Sequence, residues 1–326
     1  MTGIFKANNP YNYFLLFVYG LLLKLPLFFH PFTPVAQQPD GFFYTVFLKV
    51  LKPAGDSFPF IYPLITFILL FTQAIMLNKL VSGQRLLIKT TYLPAMCYLL
   101  FTSLFSEWYN LSAPLIINSL LIWVLSELCM LINSPYPKTF LFNIGIVTGI
   151  ATFFYFPSIA YILMIVVGLI FTRPFNLQEW IMVLLGLLAP YYFMFSWLYL
   201  KDSLDDYHLP ALGITIPSLS GSTFAYIAIV LIIITLVVGI FFIQLQMRRQ
   251  LVQARKSWGL VFVYLLVSLF VPFLNETDNF DYWILSAIPV SMIASAAFLY
   301  PERKWFSLVI HWGMVVLIII MSYFIK

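Results

Sequence analysis

The chain has 326 residues, of which 62% are hydrophobic and only 9% are charged. An ordinary soluble domain is about half apolar and about a quarter charged, so this composition excludes a soluble fold. The formal net charge is +5, but the basic residues are scattered singly between apolar runs. They form no basic face, which excludes a nucleic-acid-binding protein.

Long apolar runs divide the chain from its first residues to its last. A helix needs roughly 20 residues to cross a hydrocarbon core of about 30 Å. Runs of about this length predict about eleven spans, at 13–29, 59–77, 92–105, 115–132, 140–156, 159–171, 180–200, 224–242, 260–273, 283–300 and 306–325. The first run lacks a small-residue cleavage site and is predicted to be retained. We therefore predict one all-α transmembrane domain, 1–326, folded as a polytopic helical bundle.

The charges of the connecting loops alternate. Cytoplasmic loops retain Lys and Arg, whereas acidic residues cross a membrane more freely. With the N-terminus in the cytoplasm, most basic residues lie inside: Lys6, Lys79, Arg85, Lys89, Lys138, Arg173, Arg248, Arg249, Arg255, Lys256, Arg303 and Lys304. Most acids then lie outside: Asp40, Asp56, Glu107, Asp202, Asp205, Asp206, Glu276, Asp278 and Asp281. This pattern predicts a multi-pass protein of the cytoplasmic (inner) membrane.

Two extracytoplasmic loops are long. The first, 30–58, contains an apolar stripe at Phe43, Val46, Phe47 and Val50, which predicts a helix lying in the membrane interface. Lys49 and Lys52 fall elsewhere on that helix. The second, 201–223, is rich in Gly, Pro and Ser, which favour turns.

Soluble-enzyme motifs are missing from the sequence. It contains no GxGxxG, Walker A, HExxH or GxSxG pattern. His30, His208 and His311 are too dispersed for a histidine metal cage. A divalent cation, magnesium or manganese, could instead be held by carboxylates. The candidate metal ligands or acceptor-binding residues are Asp56, Glu107, Glu276, Asp278 and Asp281. Solvated acids that only set topology are the alternative.

Three further sets of polar residues have two interpretations each. Asp40 is either a general base at the membrane surface or the N-cap of the interface helix. The second long loop carries a cluster that could bind substrate or be merely solvated: Asp202, Asp205, Asp206 and His208. Lys24, inside the first span, either extends to the surface or meets a phosphate.

The plan of the chain resembles the GT-C superfamily of polyprenol-phosphate-sugar glycosyltransferases. FLFNIGIVTGIATFFYFPSIAYILMIVVGLIF is similar to that family's glycine-rich hairpin, and FDYWILSAIPVSMIASAAF to its late RYxLPxLPxLxLLxA span. The resemblance implies Asp40 as base or metal ligand, and Lys24, Lys49 and Lys52 as partners of a lipid phosphate. The chain departs from the family in having Asp281-Tyr282-Trp283 where Arg-Tyr is favoured.

Three classes of function therefore remain open. The first is a GT-C-like glycosyltransferase or envelope-polymer enzyme that uses a polyprenyl phosphate. The second is a noncatalytic membrane subunit that works with partner subunits in an envelope assembly complex. The third is a transporter or lipid flippase, for which a polar path or an inverted repeat would be expected.

Overall fold

The structure, a computed structural model, describes residues 2–29, 31–37, 39–132, 134, 136–202, 207, 213–215, 223–275 and 280–323. Across these residues it is all-helical, with no named strand. This confirms the predicted all-α class. The helices are α1 (Thr2–Phe5), α2 (Asn12–Leu23), α3 (Leu25–Phe29), α4 (Phe42–Ser57), α5 (Ile61–Gly83), α6 (Leu93–Phe101), α7 (Ala113–Leu131), α8 (Pro137–Phe154), α9 (Ile162–Thr172), α10 (Leu177–Leu200), α11 (Thr223–Met247), α12 (Val252–Phe270), α13 (Ala287–Leu299) and α14 (Lys304–Tyr323).

Within the described ranges, eight helical segments are long and apolar enough to cross a membrane. They are Ile61–Gly83, Ala113–Leu131, Pro137–Phe154, Leu177–Leu200, Thr223–Met247, Val252–Leu274, Phe280–Leu299 and Trp305–Ser322. Two shorter apolar helical segments, Asn12–Leu23 and Phe156–Thr172, accompany them. The chain is therefore a multi-pass membrane protein, and the exact count of about eleven spans stays a prediction.

Helix α6 differs most from its prediction, which was a membrane span at 92–105. It contains 9 residues, and all of them are buried. A helix of that length reaches about 14 Å, roughly half of a hydrocarbon core. It packs against α2, α5 and α13, and α13 is itself buried from Ala287 to Phe298. These two short helices form the centre of the bundle, which explains why the run at 92–105 is so uniformly apolar.

Glycines bring α8 and α10 into close contact. A Cβ on Gly145 would lie 2.5 Å from the Val183 carbonyl oxygen, and one on Gly186 would lie 2.2 Å from that of Phe142. Gly149, one turn after Gly145, faces the Leu187 carbonyl in the same way at 2.8 Å. Small residues spaced by four allow helix backbones to approach closely in membranes. This packing supports the turn that follows α8.

The two ends of α5 border two different cavities. Thr66 lines one cavity together with Glu107, and Ser82 lines the other together with Lys6, Arg85 and Lys89. These positions lie about 24 Å apart along the α5 axis, from the rise of about 1.5 Å per residue. The first is called the acidic end of the bundle and the second the basic end. The structure therefore separates these charges along α5, as the loop pattern predicted.

The helix predicted in the first long loop is present as α4. Gly55 lies against the Tyr62 ring on α5, where a Cβ would meet the hydroxyl oxygen at 2.1 Å. Tyr44 and Gly55 are buried, whereas Val46 and Val50 are exposed. The predicted apolar stripe is therefore only partly the face that packs on the protein.

Candidate functional site

Asp40 is held against the end of α8 by backbone pairing. It forms an isolated antiparallel bridge with Tyr155. The Gly41 N–H donates to the Phe154 carbonyl at 2.8 Å, and the Phe156 N–H donates to the Pro39 carbonyl at 3.3 Å. Gly41 is required here, because a Cβ would lie 2.0 Å from the Phe153 carbonyl oxygen. The first loop is thus fixed to the turn after the glycine-rich helix.

The Asp40 carboxyl does not cap α4. The N-cap of that helix is Gly41, and no side chain makes a capping hydrogen bond there. The Asp40 Oδ2 instead accepts a hydrogen bond from the Gln37 N–H at 2.8 Å. The N-cap interpretation is therefore wrong, because the carboxyl closes a turn that lies before the helix. Asp40 is half-buried at the acidic end.

Burial raises the pKa of Asp40 to about 7, against the lowering effect of the Gln37 hydrogen bond. The charge of Asp281 raises this pKa further. A carboxyl with such a pKa exists in both protonation states near neutral pH, which suits proton transfer.

Asp281 and Tyr44 complete what we call the carboxylate cluster, which consists of Asp40, Asp281 and Tyr44. Burial raises the pKa of Tyr44, and the charges of Asp40 and Asp281 raise it further, so all three groups interact. The Tyr44 hydroxyl donates to the Leu111 carbonyl at 2.7 Å. The Asp281 Oδ1 is buried without a hydrogen-bond partner among the described residues. The fold has therefore brought together two acids predicted separately.

Aromatic and amide groups surround the cluster. The Tyr282 hydroxyl donates to the Gln37 Oε1 at 2.6 Å, and the Tyr282 ring stacks on Tyr155 with centroids 5.5 Å apart. The Tyr155 hydroxyl in turn donates to the Asn275 Oδ1 at 2.8 Å. Gln37, Tyr44 and Tyr155 were not predicted as site residues. Nothing in a single sequence distinguishes them from ordinary loop and interface residues.

An apolar groove runs along α4, and Asp40 does not line it. Its volume is about 500 Å³, and its walls include Phe42, Phe43 and Val46 of α4, Ile150 of α8, and Pro190 and Trp197 of α10. Lys201 follows α10, and its Nζ lies 4.2 Å from the centre of the Trp197 ring. The groove is thus almost purely hydrocarbon, with a cation beside one of its walls.

A second space at the acidic end has a different character. This cavity of about 360 Å³ is lined by Pro26, Tyr62, Thr66, Glu107 and Tyr109, among others. Glu107 is exposed, accepts a hydrogen bond from the Ser106 hydroxyl at 3.2 Å, and interacts electrostatically with Asp281. Asp40 does not line this cavity.

The predicted lysines are not gathered at one place. Lys24 is fully buried, and its Nζ donates to the Thr102 carbonyl at 3.0 Å and to the Thr102 hydroxyl at 3.2 Å. It also lies over the Tyr109 ring, 5.3 Å from its centre. Extension to the surface is therefore wrong for Lys24, because the surrounding helices enclose it. Lys49 and Lys52 are exposed on α4.

The remaining acids do not build a metal centre within the described residues. Asp56 is exposed on α4, and Asp202 lies just after α10 with a left-handed backbone, φ 50°. Asp205, Asp206, His208, Glu276 and Asp278 lie outside the described residues. Among the residues that are described, no group of three His, Cys, Asp or Glu could hold a metal ion. The magnesium or manganese site that the sequence suggested therefore stays a prediction, because Glu276 and Asp278 belong to it and lie outside the described residues.

The fold and the site define a class: a multi-pass helical membrane protein with two interacting carboxyl groups and an apolar groove along α4. The chain belongs to DUF6427, a family of unknown function, whose family model matches residues 40–326. No curated protein and no solved structure matches the chain.

Proposed function

We propose that this protein is a GT-C-like membrane glycosyltransferase that takes a sugar from a polyprenyl phosphate and uses Asp40 as its general base. The observation that carries this proposal is the position of Asp40. A half-buried carboxyl with a pKa of about 7 interacts with Asp281. It stands two residues before Phe42, the first residue of α4 and part of the groove wall.

The groove supports a lipid-linked donor. A prenyl chain is pure hydrocarbon, and Phe42, Val46 and Trp197 offer it apolar walls. Lys201 lies on Trp197, and Lys49 follows Val46 by one helical turn on α4, so both can place a cation near a lipid phosphate. Lys24 lies apart from this groove, bound to Thr102. We therefore assign phosphate binding to Lys201 and Lys49 in preference to Lys24 and Lys52.

The proposed reaction is a single displacement. The ionised Asp40 accepts a proton from an acceptor hydroxyl while the hydroxyl oxygen bonds to the anomeric carbon of the sugar. The bond between that carbon and the phosphate oxygen breaks, and its electron pair leaves with the polyprenyl phosphate. Burial, together with the charge of Asp281, keeps the pKa of Asp40 high enough for efficient proton abstraction.

Asp40→Asn tests the proposal. The amide cannot accept the proton, so we expect transfer from a polyprenyl-phosphate-linked sugar to fall by at least about a hundredfold. The measurement is sugar transfer by purified protein in lipid nanodiscs, with radiolabelled polyprenyl-phosphate-linked hexoses as donors. Asp56→Asn is the matched control, because Asp56 is an exposed acid on the adjoining helix α4.

Retained activity in the Asp40→Asn variant would exclude the base role. Equal loss in the Asp56→Asn variant would show that any change in α4 disturbs the enzyme, and the assignment of Asp40 would then fail. If the wild-type protein transfers no hexose but binds other membrane subunits stably, the noncatalytic alternative replaces the enzyme.

A further inference from the structure

The basic end of the bundle contains the largest of the three cavities described here. Its volume is about 590 Å³, and its lining includes Lys6, Ser82, Arg85, Lys89, Thr90 and Thr91. We call this space the basic cavity. No residue of the carboxylate cluster lines the basic cavity, and the cavity shares no lining residue with the apolar groove.

Its lining is basic and hydroxylic. Three cationic side chains border the space, together with three hydroxyl groups, and its lining residues include no acid. Arg85 and Lys89 are exposed, and neither has a carboxylate within 4.0 Å in the part of the chain described. Guanidinium, ammonium and hydroxyl donors are the groups that bind phosphate oxygens in proteins.

A buried donor also lacks a partner in this cavity. Thr91 is 3% exposed, and its hydroxyl oxygen has no hydrogen-bond partner among the described residues. A buried hydroxyl without a partner is destabilising, so such groups usually have a ligand or a water. This second observation is independent of the charges.

The cavity wall is held in place rather than loose. The Leu86 carbonyl accepts hydrogen bonds from the Gln250 Nε2 at 2.8 Å and from the Trp258 Nε1 at 3.1 Å. The Tyr92 N–H donates to the Phe5 carbonyl at 2.9 Å, which joins the wall to α1. Arg85 is kept in the left-handed region at φ 51°, a conformation that a non-glycine residue adopts at a cost. Basic residues that only set the orientation in a membrane need charge alone. Here the backbone that carries Arg85 and Lys89 is also held in a defined position.

We propose that the basic cavity binds a phosphate group. Arg85 and Lys89 neutralise it, and the Thr91 hydroxyl donates to one of its oxygens. The phosphate belongs either to the headgroup of an anionic lipid or to a soluble phosphate compound. This site is separate from the proposed glycosyl-transfer site and does not depend on it.

The test compares two double variants in the full chain. Arg85→Gln with Lys89→Gln removes two charges from the cavity, and Arg248→Gln with Arg249→Gln removes two exposed charges that do not line it. One arm counts phosphatidylglycerol molecules retained by native mass spectrometry from phosphatidylglycerol–phosphatidylcholine nanodiscs. The other arm titrates inorganic phosphate against the thermal midpoint in pure phosphatidylcholine nanodiscs.

We expect the cavity double variant to bind phosphate or phosphatidylglycerol about 25-fold more weakly than wild type, since each basic residue contributes roughly fivefold. The control double variant should change binding less than about twofold. Thr91→Val keeps every charge and nearly the same shape, and it should still weaken binding several-fold. Binding of the lipid alone identifies a headgroup, and binding of inorganic phosphate identifies a soluble compound.

The proposal is overturned if wild-type protein binds neither probe. Equal losses in the two double variants also overturn it, because general surface charge would then explain them. Unchanged binding by Thr91→Val would show that the Thr91 hydroxyl does not bind the phosphate.

Discussion

At the scale of single residues, the environment of Asp40 gives an acid the behaviour of a neutral-pH base. Burial removes water from the carboxyl, and the nearby Asp281 adds a like charge, so the ionised form is disfavoured. The only described hydrogen bond to this carboxyl comes from the Gln37 N–H, and it compensates only in part. The environment on which the proposed base role depends therefore costs stability.

That cost predicts a pH dependence. The pKa of Asp40 is raised from 3.8 to about 7, so between these values the folded state keeps a proton that the unfolded state has lost. Stability therefore falls as pH rises through this window, by about 4 kcal/mol at most from this group. Asp40→Asn removes the effect, so its thermal midpoint should exceed that of wild type above about pH 7 by more than near about pH 4.

The check is a series of thermal midpoints for both proteins across that pH range in nanodiscs. Asp56→Asn serves as control and should follow the wild-type curve, because Asp56 is exposed. A constant difference between Asp40→Asn and wild type at every pH would show that the Asp40 pKa is not raised.

At the scale of elements, the contact between α8 and α10 holds the site in place. The turn after α8 carries Tyr155, the bridge partner of Asp40, and α10 supplies one wall of the groove. The two helices meet through Gly145, Gly149 and Gly186, and each of these glycines faces a backbone carbonyl of the other helix. An added methyl group at this contact must push whole helices apart, because backbone atoms cannot rotate away.

Gly186→Ala should therefore destabilise the protein by about 1–3 kcal/mol, the usual cost of overpacking. Gly259→Ala in α12 is the matched control, since a Cβ there meets nothing within 4 Å. Alanine has a higher helix propensity than glycine, so the control should be neutral or slightly stabilising. Thermal midpoints of the two variants decide the point, and equal midpoints would mean that α8 and α10 do not pack this closely.

At the scale of the whole molecule, the predicted separation of charge gives the chain an orientation. Asp56 lies at the acidic end on α4, and Val252 lies at the basic end beside the residues that bond to Gln84 and Leu86. Both side chains are exposed. The positive-inside rule predicts that the basic end lies in the cytoplasm.

Asp56→Cys should then react with a membrane-impermeant maleimide added to whole cells, and Val252→Cys should not react until the cells are opened. The native Cys97 and Cys129 are fully buried, so they add little background. The unmodified chain is the control. Labelling of position 252 in intact cells would invert the orientation and place the carboxylate cluster inside.

The sequence alone determined the class of protein and the separation of its charges. The apolar composition shows that most of the chain folds in lipid rather than in water. In lipid, a helix satisfies all of its own backbone hydrogen bonds without closing a barrel. The sequence also predicted that Asp40, the acid just before the interface helix, is either a general base or an N-cap. The structure excludes the cap, and the base role stays a prediction.

Only the tertiary structure decided which residues share a site. Asp40, Tyr155 and Asp281 are far apart in the chain, and hydropathy does not encode which helices become neighbours. For the same reason the sequence could not show that α6 is a buried core helix, that Lys24 is enclosed beside Thr102, or that Arg85, Lys89 and Thr91 line one cavity. Apolar runs identify helices that can cross a membrane, but packing between particular side chains and backbones determines where polar groups meet.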